Sequence, residues 1–201
     1  VESFIAGHEF ALEGVMTDGV LRTLAIFDKP DPLDGPFFEE TIYLTGGMPD
    51  GAEARRIEEA VAAAALAIGL GHGPVHAECR VNAAGVFVLE VAARPIGGIC
   101  ARALRFEHPP ESARISLEEL LLRHALGEDV SGWRREAEAS GVMMIPIPRR
   151  GLYKGVTGVE AARTVPGVDD VVITANVEQR LLPLPEGASY LGFIFAHGES
   201  P

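Results

Sequence analysis

Apolar and polar positions alternate from the start of the chain. "HEFALEGVMT" and "VLRTLAIFDK" read as two strands, and Asp18-Gly19 between them is a two-residue hairpin signal. A proline-rich loop from Pro30 to Pro36 leads into a further short strand, "FFEETIYL". The period then changes. Asp50 with Glu53 three residues on forms a capping box, and the helix it opens is predicted over about Gly51–Leu70, closing at Gly71. Ile57, Val61, Ala64 and Ile68 recur at helical spacing and form its expected core face.

A second hairpin follows in "GPVHAECRVNAAGVFVLEVAA". Beyond it come a Gly-Gly loop, a short helix, and the helix "SLEELLLRHALGE" with Ser116 and Glu119 as its capping box. Residues 129–140 are polar and read as a linker. A second unit then runs strand ("GVMMIPIP"), helix ("GVEAARTV"), strand ("DDVVITAN") and strand ("SYLGFIFAHG"). Hairpins mixed with helices predict an α+β fold, divided into a lobe over 1–128 and a small C-terminal α/β domain over 141–201. The abrupt start "VESFIAGHEF" and the helix-start signature Ser200-Pro201 predict a chain cut at both ends.

The second hairpin carries charges where a strand pattern expects none. Alternation puts Ala77, Cys79, Val81, Phe87, Leu89 and Val91 on one face, and His76, Glu78, Arg80, Val86, Val88 and Glu90 on the other. Bringing the apolar sets together needs an odd-numbered loop, and Ala83-Ala84-Gly85 is predicted to supply it, with Gly85 left-handed. Glu78 then stands directly across from Glu90. Two opposed carboxylates repel, so one takes a proton or both share a cation. A Mg²⁺–nucleotide site is one reading. A solvated face with Arg80 neutralising a Glu is the other. Arg94 can grip a phosphate or carboxylate bidentately, and Gly97-Gly98 at a helix start lets backbone N–H groups approach an anion. Carboxylate pair, Arg and helix start together suggest phosphoryl transfer.

Composition narrows the partners. The chain has 201 residues, 47% hydrophobic and 23% charged, as a soluble globular core requires. A net charge of −12 argues against nucleic-acid binding. No apolar run is long enough to span a bilayer, and no signal peptide is seen. Cys79 and Cys100 form no disulfide framework and read as packing residues, which suits a cytoplasmic location. His72 and His76 lack a third ligand and read as structural. On residue type alone Glu2 and Glu9 pass as exposed carboxylates, Lys29 as a surface lysine, and Glu39–Glu40 as a solvated pair.

Three stretches taken together, "VESFIAGHEFALEG", "HAECR…VFVLEVAAR" and "GGICARAL", resemble the C-terminal half of an ATP-grasp carboxylate–amine ligase. The resemblance implies ATP and Mg²⁺ as cofactors, small-molecule carboxylate and amine substrates, and an acyl-phosphate route to an amide. It implies that Glu2 and the backbone at Ile5 hold adenine, that Glu9 bonds the ribose, and that Lys29 lies near the phosphates. Glu78 and Glu90 would bind Mg²⁺, Arg94 would hold the transferring phosphate, Glu40 would contact the amine, and Gly97 and Gly98 would shape the carboxylate pocket. Ala92 stands where many members carry an Asn metal ligand. "EVAAR" is the form seen in bacterial L-amino acid ligases, the subset resembled most. Tyr43 replaces a His common in its region. The glycine-rich first ATP-binding lobe lies outside this sequence, so the chain alone is not expected to catalyse. A bicarbonate- or ribonucleotide-type ligase of the same fold, a non-catalytic nucleotide-binding module, and a homodimeric assembly are kept open.

Overall fold

The structure, a computed structural model, describes residues 3–32, 39–46, 51–109, 113–187 and 189–201. Strands β1 (His8–Thr17) and β2 (Val20–Lys29) form the first hairpin. Asp18 and Gly19 close it with φ of 49° and 83°, the backbone a two-residue turn requires. Strand β3 (Ile42–Leu44) is what forms of "FFEETIYL", because pairing is confined to these residues; Phe37 and Phe38 lie outside the described residues.

Helix α1 spans Gly51–Ala67. Its expected cap, Asp50, lies outside the described residues, while Glu53 sits in the first turn, where negative charge suits the helix dipole. Ala54, Ile57, Val61 and Ala65 are buried. The helix stops earlier than expected. Gly69 takes φ 81°, and the Leu70 N–H returns to the Ala65 carbonyl at 2.9 Å. Ile68 therefore falls past the last turn and is 62% exposed, and Ala65 takes the core position assigned to Ala64.

Strands β4 (Gly73–Asn82) and β5 (Gly85–Ala92) follow. A four-residue 3₁₀ turn, Cys100–Ala103, stands where a helix was expected after the Gly-Gly loop. Next come β6 (Arg105–Glu107), β7 (Arg114–Ser116) and α2 (Leu117–Ala125), whose cap Ser116 accepts the Glu119 N–H at 3.2 Å. The remaining elements are β8 (Arg134–Arg135), β9 (Ala139–Ile145), β10 (Gly151–Leu152), α3 (Val159–Arg163), β11 (Val168–Ile173), β12 (Arg180–Leu181) and β13 (Gly192–Gly198).

One antiparallel sheet organises these parts. Its eight strands run β11-β13-β9-β3-β2-β1-β4-β5, so the strands of the C-terminal unit join those of the first hairpins through β3. Helix α1 covers one face with Phe10, Leu12, Met16, Ile26, Val75, Ala77 and Cys79 beneath it. The opposite face holds a second core around Phe27, Tyr43, Leu104, Phe106, Trp133 and Met144. Residues 129–140 are packed rather than free. Val130 and Trp133 are buried, Arg22 donates to both their carbonyls, and β8 pairs with β6. The polar average of that stretch hid two anchoring side chains. Among the described residues no helix is long and apolar enough to cross a membrane.

Candidate functional site

Strand β1 lies between β2 and β4, and its register explains the charges. Glu9 faces Lys29 on β2 and Arg80 on β4; Glu13 faces His76; Ala11, between them, faces Glu78. Residues two apart share a face, so these side chains gather on the side of the sheet away from α1. The chain enters β1 closely against β4. A Cβ on Gly7 would stand 2.5 Å from the Val81 carbonyl oxygen, and the Asn82 amide donates to the Ala6 carbonyl at 2.6 Å. Arg80 donates to the Ile5 carbonyl at 2.7 Å and lies over the Phe4 ring.

Lys29 is the centre of the group. Far from being a surface lysine, it is 4% exposed. Its ammonium donates to Glu9 Oε1 at 2.7 Å, to Glu78 Oε1 at 2.9 Å and to Glu40 Oε1. Burial works against this charge, but Glu40 and Glu78 outweigh it and raise the Lys29 pKa. Glu9 is likewise buried, not exposed, with one oxygen on Lys29 and the other on Arg80 at 2.8 Å. The Tyr43 hydroxyl donates to Glu78 at 3.3 Å, and its ring lies under Lys29. Burial, then Glu40 and Glu78, push the Tyr43 hydroxyl up, so it stays a donor.

His76 bonds Glu13 through Nδ1, and its Nε2 stands 3.7 Å from Glu78 Oε1. Burial opposes its charge, yet the two carboxylates prevail and raise its pKa to about 9. For Glu78, burial is overcome by His76 and Lys29, which hold the carboxyl well below its usual range. Glu40 goes the other way: burial and the adjacent Glu78 outweigh Lys29 and raise it.

Glu78 and Glu90 do stand opposite one another. The route to that pairing differs from the expected one. The hairpin loop has two residues, with Asn82 facing Gly85, and a bulge at Leu89 supplies the offset. Val86, Val88 and Val91 consequently pack on the α1 side, Phe87 faces Arg80, and Leu89 is 40% exposed. Without the bulge Glu90 would fall opposite Ala77, on the apolar face.

A cleft of about 670 Å³ opens beside these groups. Glu40, Glu78, Glu90 and Arg94 line its polar side, and Ile96, Ile99, Met144, Tyr190 and Phe193 its apolar side. Gly97 and Gly98 lie between Ile96 and Ile99 in the same lining. Gly98 takes φ 62°, and the Phe193 ring lies 3.4 Å from where a Cβ would be. The 3₁₀ turn after them is too short to be the helix start expected to bind an anion. Arg94 is half-exposed, 3.6 Å from Glu90, and donates to the Pro95 carbonyl at 2.9 Å.

Carboxylate oxygen suits a hard divalent cation. Among the described residues, one trio of acidic, His or Cys side chains converges closely enough to hold a metal: Glu9, Glu40 and Glu78. Its centre is taken by the Lys29 ammonium. Glu78 and Glu90, opposed across the hairpin, both line the cleft and offer the carboxylate oxygens such a cation takes, and the contacts of Glu78 with Lys29, Tyr43 and His76 all fall on Oε1. Glu2 lies outside the described residues. Glu13, His76 and Arg80 were missed as site residues; docking β1 onto the hairpin by the same alternation would have brought them in. Cys79 and Cys100 are buried and free, each pushed up by burial to about 12, as packing residues are.

The profile described as "ATP-grasp domain" matches residues 1–103, and that described as "L-amino acid ligase C-terminal domain 2" matches 143–201. No curated protein matches the chain. Among solved structures, an L-amino acid ligase from Bacillus licheniformis is 29% identical with a TM-score of 0.82, covering 98% of this chain and 48% of its own. A phosphoribosylglycinamide synthetase from Anaerococcus prevotii is 13% identical with a TM-score of 0.73, covering 98% and 49%. A biotin carboxylase from Campylobacter jejuni is 14% identical with a TM-score of 0.62, covering 100% and 44%. The last two share the fold. The chain spans about half the length of these structures.

Proposed function

Because the chain belongs to the ATP-grasp domain family, we propose that the protein carrying it is an ATP-dependent carboxylate–amine ligase that joins amino acids. The observation that carries this is the opposed pair Glu78 and Glu90 with Arg94 on the same cleft. The 29% identity to an L-amino acid ligase and the match of residues 143–201 support amino acids as substrates. We assign 1–128 to the ATP-binding lobe and 141–201 to a small domain that closes the cleft with Met144, Tyr190 and Phe193. Free, buried cysteines suit the cytoplasm.

In this reading Mg²⁺, held by Glu78 and Glu90, supplies charge neutralisation at the ATP phosphates. A substrate carboxylate oxygen attacks the γ-phosphorus, ADP leaves, and an acyl phosphate forms. The amine nitrogen then attacks the acyl carbon and loses a proton as phosphate departs. Arg94 offers its guanidinium to the transferring phosphoryl oxygens. Lys29, enclosed by three carboxylates, keeps Glu78 ionised and holds Glu40 at the cleft edge, where Glu40 can receive the amine. Glu9, with both oxygens paired, positions Lys29 and Arg80 in place of bonding ribose directly. Ile5, its carbonyl on Arg80, offers its N–H to the adenine edge. Gly97 and Gly98 leave room for the carboxylate, and the apolar wall receives a substrate side chain.

The test is full-length protein with ATP, Mg²⁺ and an amino-acid panel. ADP and phosphate should appear together with an amide. A bicarbonate requirement would move the assignment to a carboxylase-type ligase, and nucleotide binding without turnover to a non-catalytic module. Glu90→Gln should weaken Mg²⁺–ATP binding at least about 10-fold by calorimetry; unchanged affinity and turnover would sink the metal assignment.

A further inference from the structure

Glu13 is the most enclosed charged side chain among the described residues, at 1% exposure, and the reaction above gives it no task. It sits in the middle of β1, between Ala11 and Val15 on an otherwise apolar stretch of the face. A buried carboxylate is a costly way to stabilise a sheet, since an apolar side chain of similar size is often neutral or better. What a carboxylate adds is two directed acceptors on a rigid strand.

Both are used, and each reaches a different part of the site. Oε1 meets His76 Nδ1, and the other ring nitrogen of His76 stands 3.7 Å from Glu78 Oε1. Oε2 accepts the Ile96 N–H at 3.1 Å. Ile96 lies two residues after Arg94 and just before Gly97. One side chain on β1 thus ties the strand that carries Glu78 to the loop that carries Arg94. Both elements line the cleft.

We infer that Glu13 is a positioning residue that sets the spacing between Glu78 and the Arg94–Gly98 loop, acting on the first through His76 and on the second through the Ile96 amide. The inference rests on the reading of Glu78 as a metal carboxylate. Both partners of Glu13 are fixed by packing, since His76 is 4% and Ile96 7% exposed, so a shift of the carboxylate is transmitted rather than absorbed.

The test uses full-length protein carrying Glu13→Gln, Glu78→Gln and the pair together, with Mg²⁺–ADP affinity measured by calorimetry beside kcat, KM and Tm. Glu13→Gln keeps the shape and an acceptor for Ile96 while replacing the oxygen on His76. It should weaken Mg²⁺–ADP about 10-fold and lower kcat about 10- to 100-fold, with the amine KM nearly unchanged. If Glu13 acts through Glu78, the double variant binds Mg²⁺–ADP no more weakly than Glu78→Gln alone. Should Glu13→Gln fold poorly, His76→Gln, which leaves the Glu13–Ile96 bond in place, should show the same non-additivity. A lowered Tm with wild-type affinity and kcat, or losses that simply add, would overturn the inference. Unchanged affinity in Glu78→Gln would instead remove the metal reading, and the inference with it. Loss in Glu78→Gln without loss in Glu13→Gln removes only the inference.

Discussion

The two faces of the β2-β1-β4 strands are built from opposite materials. Toward α1, Phe10, Leu12, Met16, Ile26, Ala77 and Cys79 form a continuous apolar layer. Toward the cleft, the intervening positions hold Glu9, Glu13, Lys29, His76, Glu78 and Arg80 among Ala11 and Phe27. The first face owes its stability to removing area from water, which is non-directional and tolerates substitution of similar volume. The second holds charges that are stable only as a set, because Glu9, Glu40 and Glu78 share the one Lys29 ammonium and Glu9 also pairs with Arg80. One face is therefore a support, and the other is a device with little tolerance.

The largest expected effect comes from breaking the charged set at its centre. Lys29→Met fills similar space but leaves Glu9, Glu40 and Glu78 converging without a cation. Removing one partner of a buried pair costs about 3–5 kcal/mol. Chemical denaturation of full-length protein should show that loss at pH 7, and lowering the pH should recover part of it as the carboxylates take protons. A loss below ~1 kcal/mol would show that water reaches this face freely. On the apolar face, Ile57→Ala deletes a fully buried side chain and should cost about 2–5 kcal/mol, with no recovery on acidification.

The same contrast explains what the sequence disclosed. Alternation and helical period were enough for Ile57 and Val61 on α1, for the Asp18-Gly19 hairpin and for the opposition of Glu78 and Glu90, but not for the end of α1, which leaves Ile68 exposed, nor for the loop behind the opposed pair. The charged set was not visible as a set, because its members lie on strands far apart in sequence and come together only when β1 is docked between β2 and β4. Lys29 and Glu9 each pass for surface residues when read singly. The bulge at Leu89 was hidden for a different reason: a three-residue loop and a two-residue loop followed by a bulge give the same partner for Glu90. Val130 and Trp133 were lost within a polar average. Glu2 and Asp50 lie outside the described residues.

pH separates the faces by a smaller amount. His76 is raised from its ordinary 6.5 to about 9 in the folded protein by Glu13 and Glu78. The folded state therefore holds this proton more tightly than the unfolded chain. Its contribution is complete below pH about 6.5 and is lost as the pH climbs through about 9, at no more than ~1.4 kcal/mol per pH unit. Denaturation curves between pH 6 and pH 9 should show stability falling, and His76→Phe should flatten that slope. Ile57→Ala should lower the whole profile without changing its shape. A slope unaltered by His76→Phe would place the charge elsewhere.

The smallest effect tests the register itself. With an odd loop, Leu89 would point into the α1 core and Val88 toward the carboxylates. With the bulge, Val88 packs beside Cys79 and Leu89 stands in solvent. Leu89→Ser should then change stability by no more than ~0.5 kcal/mol, as surface substitutions do. Val88→Ser, a smaller deletion, should cost about 1–2 kcal/mol, because it removes packed methyls and leaves a hydroxyl among apolar neighbours. The reversed order would mean that a three-residue loop replaces the two-residue loop and its bulge, and Val86 and Val88 would then share the face of Glu78. Leu89→Ser should also leave Mg²⁺–ATP affinity unchanged, since the bulge depends on the extra backbone residue and not on its side chain.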